Sequence, residues 1–433
     1  MSSLIEEKLR QHKQGQPVGI PSICSAHPQV LEAAARQSAR NGALLLIEST
    51  CNQVNQYGGY MGLTPVQFSA FAEQVARRHQ LPPDQLVLGG DHLGPYPWRH
   101  FPADKAMEKA CKLVESYVMA GYTKIHLDTS MSCADDLPGQ PLPGEIAAQR
   151  TAELCRAAEN AANRLKGQAP NLVYVIGTEV PTPGGVQAAH ESMLVTQLDT
   201  AEFTIETTRQ AFLGRGLGGA WERVAAVVVQ PGIEFADREV FPYDRKRAAH
   251  LSSFIEGYDR LVFEAHSTDY QTGESLKQLV EDHFAILKVG PALTFAYREA
   301  VFALSIIEAE FLKGRAGVRL SNLPEILEEV MLANPKSWEP YYQRDGVELR
   351  VARKYSYSDR ARYYWTEPSL QQSLSQLFEN LEYYPIPETL ISQYLPAQYS
   401  RLRSGSLQLS PMELVIDHIC DAILPYIQAC AGD

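Results

Sequence analysis

The sequence predicts an α/β fold: a (β/α)8 barrel (TIM barrel) over residues 1–312, with a helical C-terminal extension over residues 313–433 packed on it. Three observations predict it. Eight short aliphatic runs alternate with amphipathic helical stretches. The runs are apolar almost throughout, as expected of parallel strands buried on both faces. The alternation then stops near residue 312. Eight such units in roughly 300 residues suit a closed barrel.

The strand runs are PVGIPSICSAH (17–27), ALLLIES (43–49), LVLGGDH (86–92) and KIHLDTS (124–130), followed by LVYVIGTEV (172–180), VAAVVVQPG (224–232), LVFEAHS (261–267) and FAILKVGPA (284–292). Between them lie helical patterns such as HPQVLEAAARQSARN, TPVQFSAFAEQVARRH and DKAMEKACKLVESYVMAG. A doubly wound sheet would want a Gly-rich phosphate turn after its first strand, where this chain has SICSAHP. The G-x-x-x-x-G-K-[ST] loop of a P-loop kinase is absent too. Beyond residue 312 come LPEILEEVMLANP, SLQQSLSQLFENLEYY and PMELVIDHICDAILPYIQAC, all helical in pattern. The Tyr- and Arg-rich segment KYSYSDRARYYW (354–365) is expected to fill core and interface, with Arg360 or Arg362 available to an anionic ligand.

Of 433 residues, 45% are hydrophobic and 21% charged, which excludes a disordered or fibrous chain. A net charge of −12 opposes general nucleic-acid binding, which needs a basic field. Seven cysteines without a C-x-x-C pair read as reduced thiols, several in the core, of a cytoplasmic protein. The N-terminal MSSLIEEKLRQHKQG reads as an amphipathic helix with no secretory signal. No stretch approaches the ~20 apolar residues of a membrane span, so no membrane partner is expected.

Where each run stops being apolar is the informative feature. Asp91 and His92 end strand 3, Asp128 and Ser130 strand 4, Glu179 strand 5, Gln230 strand 6, His266 and Ser267 strand 7, and Lys288 strand 8. In a barrel these ends open onto one mouth. Two neutral imidazoles with carboxylate or carboxamide oxygens suit a divalent ion of the zinc, manganese or cobalt type, so His92, His266, Glu179 and Gln230 are the expected ligands. Asp91 is expected to point differently from His92 on an alternating strand and to act as acid/base or as a partner orienting an imidazole. His126 and Glu264, two residues inside Asp128 and His266, are expected to form a polar layer within the barrel rather than ligands. HSTDYQTG (266–273) and KVGPALT (288–294) offer hydroxyls, glycine amides and a helix N-terminus for a phosphate, through Ser267, Asp269, Lys288 and Gly290. Asn52, Gly58 and Gly59 after strand 2, with Ser130, complete the expected substrate contacts. PTPGG (181–185) reads as a turn, or as a lid beside Glu179.

GGDHLGP (89–95), HLDTSMSC (126–133), GTEVPTPGG (177–185), VVQPGIEF (228–235), EAHSTDYQ (264–271) and FAILKVGPALTFAYREA (284–300) resemble the Z-type subunit of tagatose-1,6-bisphosphate aldolase. SICSAHPQVLEAA, ESTCNQVNQYGGYMGLTP, YSYSDRARYYW and ISQYLPAQY extend the resemblance over nearly the whole chain. It implies a fold like that of the zinc-dependent class II aldolases and a phosphorylated ketohexose as substrate. Zinc is the implied metal, with manganese, cobalt or nickel as substitutes. The family is described as a partner that a class II aldolase catalytic subunit needs for stability and full activity, which implies an oligomer. Some of its relatives act alone as fructose 6-phosphate/tagatose 6-phosphate 4-epimerases. DHLG resembles the aldolase Asp-His pair, implying an acid/base role for Asp91 and metal ligation by His92. EAHSTD implies metal ligation by His266, and Glu179 falls where those enzymes carry a carboxylate. Gln230 stands where the aldolases have a further ligand histidine, a departure from their pattern. The implied chemistry is removal of the 4-hydroxyl proton by Asp91 or Asp128 with breakage of the C3–C4 bond. Re-addition after the aldehyde turns inverts C4; its escape is aldol cleavage.

Overall fold

Eight parallel strands close into a barrel in chain order: β1 (Ile20–Cys24), β2 (Leu45–Thr50), β3 (Leu86–Leu93), β4 (Lys124–Leu127), β5 (Val173–Ile176), β6 (Val224–Val228), β7 (Val262–Ala265) and β8 (Ile286–Val289). The last pairs back onto the first, Ile20 opposite Ile286. This computed structural model describes residues 4–137, 141–165, 171–177 and 194–432. Each strand lies within one of the eight aliphatic runs or within a residue of it, and helices cover the outside, as the alternation predicts.

Local sequence signals set the helix ends. The helix Pro65–Arg78 starts at a capping box in which Thr64 and Gln67 satisfy each other's orphan amides. The helix Pro28–Asn41 opens on a proline and ends at Gly42 in the left-handed region. Inside the barrel the side chains form layers. Leu46, Val87, Val175, Val262 and Ile286 make an apolar layer, joined by Ile5 and Leu9 of the N-terminal helix Leu4–Lys13. Lys124 adds a polar layer, its ammonium 2.7 Å from both Glu48 and Glu264, all three fully buried. Gly89 makes room for this: a Cβ there would lie 2.7 Å from Glu48 Cγ.

After residue 312 the described chain is helical. Its final helix, Pro411–Ala431, packs against the helices Pro28–Asn41, Gly273–Glu281 and Pro291–Leu312, and one hydrophobic core runs from the barrel into the extension. That helix is the one described segment long and apolar enough to cross a membrane, contrary to the sequence expectation that none approaches this. Yet 61% of its most apolar window is buried in the protein, and its Asp417 and Asp421 pair with Arg401. It is a core helix. A short antiparallel ribbon, Glu234–Phe235 with Val240–Phe241, follows β6 and was not expected from the sequence. All seven thiols are free, and six of them are buried.

Candidate active site

The C-terminal ends of β3, β4, β7 and β8 bring six groups together. Lys288 Nζ, from β8, lies 2.6 Å from Asp91 Oδ2, 2.9 Å from His92 Nε2 and 3.1 Å from His266 Nδ1. An ammonium has three N–H donors, and here three acceptors receive them. Behind each imidazole stands a carboxylate. Asp128 Oδ2 is 2.7 Å from His92 Nδ1, and Glu264 Oε1 is 3.0 Å from His266 Nε2. A carboxylate at one ring nitrogen places the proton there, so the network assigns lone pairs to His92 Nε2 and His266 Nδ1, both aimed at the same point.

The convergence of Asp91 with His92 departs from strand alternation, which would have sent neighbouring side chains apart. The cause is local. His92 has φ +48°, and the pairing of β3 with β4 shifts register between Gly90 and Leu93. Such an irregularity re-aims side chains at a barrel rim. Gly94 allows the tight return, since a Cβ there would sit 1.7 Å from the Asp128 carbonyl oxygen.

Electrostatics fix the charge states. Burial pushes His266 well below the ordinary imidazole value, and the Lys288 ammonium beside it adds to this. Burial lowers His92 as well, with Asp91 and Asp128 opposing. Burial alone would raise the Asp91 carboxyl, but His92, Lys288 and His126 hold it well below the carboxylate range. Burial alone would lower Lys288, but Asp91 together with Cys24, Glu264 and Glu48 raises it above the ordinary lysine value, so it stays charged. The site is therefore two neutral imidazoles and a carboxylate around one cationic centre.

This donor set fits a divalent cation. Two imidazole nitrogens and a carboxylate oxygen surround a point that a positive charge, the Lys288 ammonium, already fills. His126 and Glu264, expected only to line the barrel, belong to the same constellation. Atoms of Asp91, His126, Glu264 and His266 lie within 4.8 Å of one another, and the buried His126 Nε2 has no hydrogen-bond partner among the described residues. Their inward position on β4 and β7 was legible, but their distance from the rim residues was not.

The other expected residues are placed as follows. Glu179 and the PTPGG turn lie outside the described residues. Gln230 turns its carboxamide oxygen onto the amides of Gly232 and Ile233, at 2.8 and 3.1 Å, closing its own loop instead of facing the imidazoles. Ser130 donates to Asp128 Oδ1 at 2.6 Å. Asp269 accepts from the amides of Gly290 and Ala292, at 3.0 and 2.8 Å, so a carboxylate already occupies the N-terminus of the helix Pro291–Leu312. Gly58 and Gly59 give their amides to the Asn55 carbonyl and side-chain oxygens, at 2.9 and 3.2 Å. Asn52, Ser267, Asp269, Lys288 and Gly290 line a cavity of about 680 Å³ shared with Asp91, His92 and His266. Its outer wall comes from the extension, through Arg362, Tyr363, Trp365, Leu374 and Phe378.

Glu234, on the ribbon after β6, is a group the sequence reading missed. Burial raises its carboxyl to about 7, beside Ser267. A carboxyl raised in the folded state adds stability that is complete below its unfolded value of 4.5 and lost as pH rises through about 7. Relative to the wild type, Glu234→Gln should therefore gain roughly 3 kcal/mol between pH 4 and pH 8. Paired denaturation curves across this range check it; a pH-independent difference would contradict the raised value.

Residues 5–431 match the family described as D-tagatose-1,6-bisphosphate aldolase subunit GatZ/KbaZ-like. A solved protein from Sinorhizobium meliloti 1021, described as a probable tagatose 6 phosphate kinase, is 46% identical. It superposes with a TM-score of 0.86 over 95% of this chain and 100% of its own. The fructose-bisphosphate aldolase of Campylobacter jejuni aligns at 12% identity and a TM-score of 0.48, over 87% of this chain and 92% of its own. The YdjI aldolase of Escherichia coli K12 aligns at 9% and 0.43, over 89% and 98%. The chain belongs to the D-tagatose-1,6-bisphosphate aldolase subunit GatZ/KbaZ-like family.

Proposed function

We propose that the chain breaks and re-forms the C3–C4 bond of a phosphorylated ketohexose, interconverting fructose 6-phosphate and tagatose 6-phosphate. The observation that carries this is the convergence of His92 Nε2, His266 Nδ1 and Asp91 Oδ2 on one cationic point within a sugar-sized cavity. A divalent cation held there by His92 and His266, with Asp91 beside it, would supply Lewis-acid polarisation of the substrate carbonyl and neutralise the charge that develops on it.

The chain's own residues divide the remaining work. Of the two candidate bases, Asp91 lines the cavity, whereas Asp128 gives one oxygen to His92 and the other to Ser130. Asp91 is thus the base, and Asp128 positions His92. Asp91 takes the 4-hydroxyl proton, and the O–H electrons form the C4 carbonyl. The C3–C4 pair passes to C3 and the C2 oxygen, giving an enediolate and glyceraldehyde 3-phosphate. His126, with Nδ1 2.8 Å from Asp91 Oδ1, orients the carboxylate while it holds the proton. Return of the pair to the opposite face of the aldehyde, with the proton given back by Asp91, completes inversion at C4. The absent P-loop leaves a kinase reading without support.

The second reading is a subunit that supports a class II aldolase catalytic chain without chemistry of its own. The engagement of Gln230 with its own loop favours it, because no third imidazole stands at that position. The purified chain, loaded with zinc and given fructose 6-phosphate alone, separates the two. Tagatose 6-phosphate is expected to form. Product that appears only after a catalytic aldolase subunit is added would replace the first reading with the second.

A further inference from the structure

The glycine amides that the sequence offers to a phosphate are spent within the protein. Asp269 holds those of Gly290 and Ala292, and Asn55 holds those of Gly58 and Gly59. A buried carboxylate at the head of the helix Pro291–Leu312 also repels an anion from that end. A sugar phosphate in this cavity therefore needs another cation. Among the described residues, Lys288 and Arg362 are the Lys and Arg side chains lining it, and Lys288 is committed to three acceptors.

Arg362 is different. It sits in the 3-10 turn Arg360–Tyr363, half-buried, and its partners are the carbonyls of Ser358 and Asp359 and the Tyr363 hydroxyl. Among the described residues no carboxylate lies within ion-pair distance of it, and its Nε–H meets no acceptor. The neighbouring arginines are already occupied. Arg298 pairs with Asp359 at 2.8 Å. Arg360 stacks 3.0 Å over the Tyr341 ring, donates to the Ser337 carbonyl, and does not reach the cavity. A guanidinium without a carboxylate, fixed by its own turn and opening into a cavity, is an anion receptor whose planar fork suits phosphate.

We infer that Arg362 anchors the phosphate of the ketohexose phosphate, and that this anchor retains the aldehyde half while its carbonyl turns. The inference rests on the C3–C4 reading above and assigns a task to the extension. After cleavage the phosphate belongs to glyceraldehyde 3-phosphate. Held at that end, the fragment can rotate about C4–C5 and present its other face to the enediolate. Without the hold it leaves. Arg362 thereby sets the ratio of epimerisation to cleavage.

The test uses the full chain and inorganic phosphate as probe. By calorimetry, Arg362→Met is expected to weaken phosphate binding by about tenfold or more, with partial recovery in Arg362→Lys. Where the zinc-loaded enzyme turns over, Arg362→Met should raise KM for fructose 6-phosphate. It should also raise the share of turnovers releasing dihydroxyacetone and glyceraldehyde 3-phosphate. In case the variants fold poorly, the unsubstituted chain is treated with a guanidinium-selective dicarbonyl and Arg362 modification is followed by peptide mass. Phosphate is expected to shield Arg362. Phosphate that does not bind, or binds without shielding Arg362, would overturn the anchor. Shielding in a chain that produces no tagatose 6-phosphate would leave the anchor standing and remove the epimerase reading instead.

Discussion

His266→Ala is expected to lose bound divalent cation and ketohexose-phosphate turnover together. The ring supplies one of three donors aimed at a common point, and alanine leaves only His92 and Asp91 from the described set. The effect should exceed that of disturbing the residue behind the ring. Glu264→Gln keeps the imidazole but weakens the 3.0 Å bond that fixes its proton, a change of the kind that costs about 10–100-fold in metal affinity. His266→Ala should fall well below that. Equilibrium dialysis against zinc, followed by assay of the same samples, gives both readings. A His266→Ala protein that retains zinc would remove His266 from the ligand set, and a metal-free one with wild-type turnover would remove the metal from the chemistry.

Lys288→Met should act in opposite directions on the metal-free and metal-loaded protein. Without metal, the ammonium is the counterion of Asp91, a carboxylate with no exposure to solvent. Taking one partner from such a buried pair destabilises by about 3–5 kcal/mol. A divalent cation and the ammonium compete for the same three acceptors, so the wild type must displace Lys288 before the ion can enter. The variant has nothing to displace. Its thermal midpoint should therefore be lower than wild type in chelator and rise further on adding zinc, and its zinc affinity should be higher. Weaker zinc binding by the variant would mean that Lys288 assists the ion rather than standing in for it.

The barrel was legible because each strand is a continuous aliphatic run, as in a parallel sheet buried on both faces, and eight such units without a Gly-rich turn after the first suit a closed one. The rim histidines were legible for the same reason: a polar residue at the end of such a run has one place to be. What alternation concealed was the geometry of β3. The left-handed conformation of His92 and the register shift beside it turn Asp91 and His92 to a common point, and neither follows from side-chain periodicity. In the expected phosphate loops, what the sequence concealed was the engagement of the glycine amides within the protein. Glycines advertise free amides, but Asn55 and Asp269 in those same loops take them first, a competition that short polar side chains commonly win. Gln230 behaves alike, bonding two residues ahead in its own chain. The extension's part in the cavity was only half visible: Arg360 and Arg362 stood as equals in sequence, and packing against Tyr341 separates them.

Anomalous diffraction from zinc-soaked crystals, recorded above the zinc absorption edge, decides whether these side chains form one cation site. A single peak is expected about 2.1 Å from His92 Nε2 and His266 Nδ1, with the Lys288 ammonium moved away from it. A peak bound to neither imidazole, or a Lys288 ammonium still seated between them at saturating zinc, would contradict it.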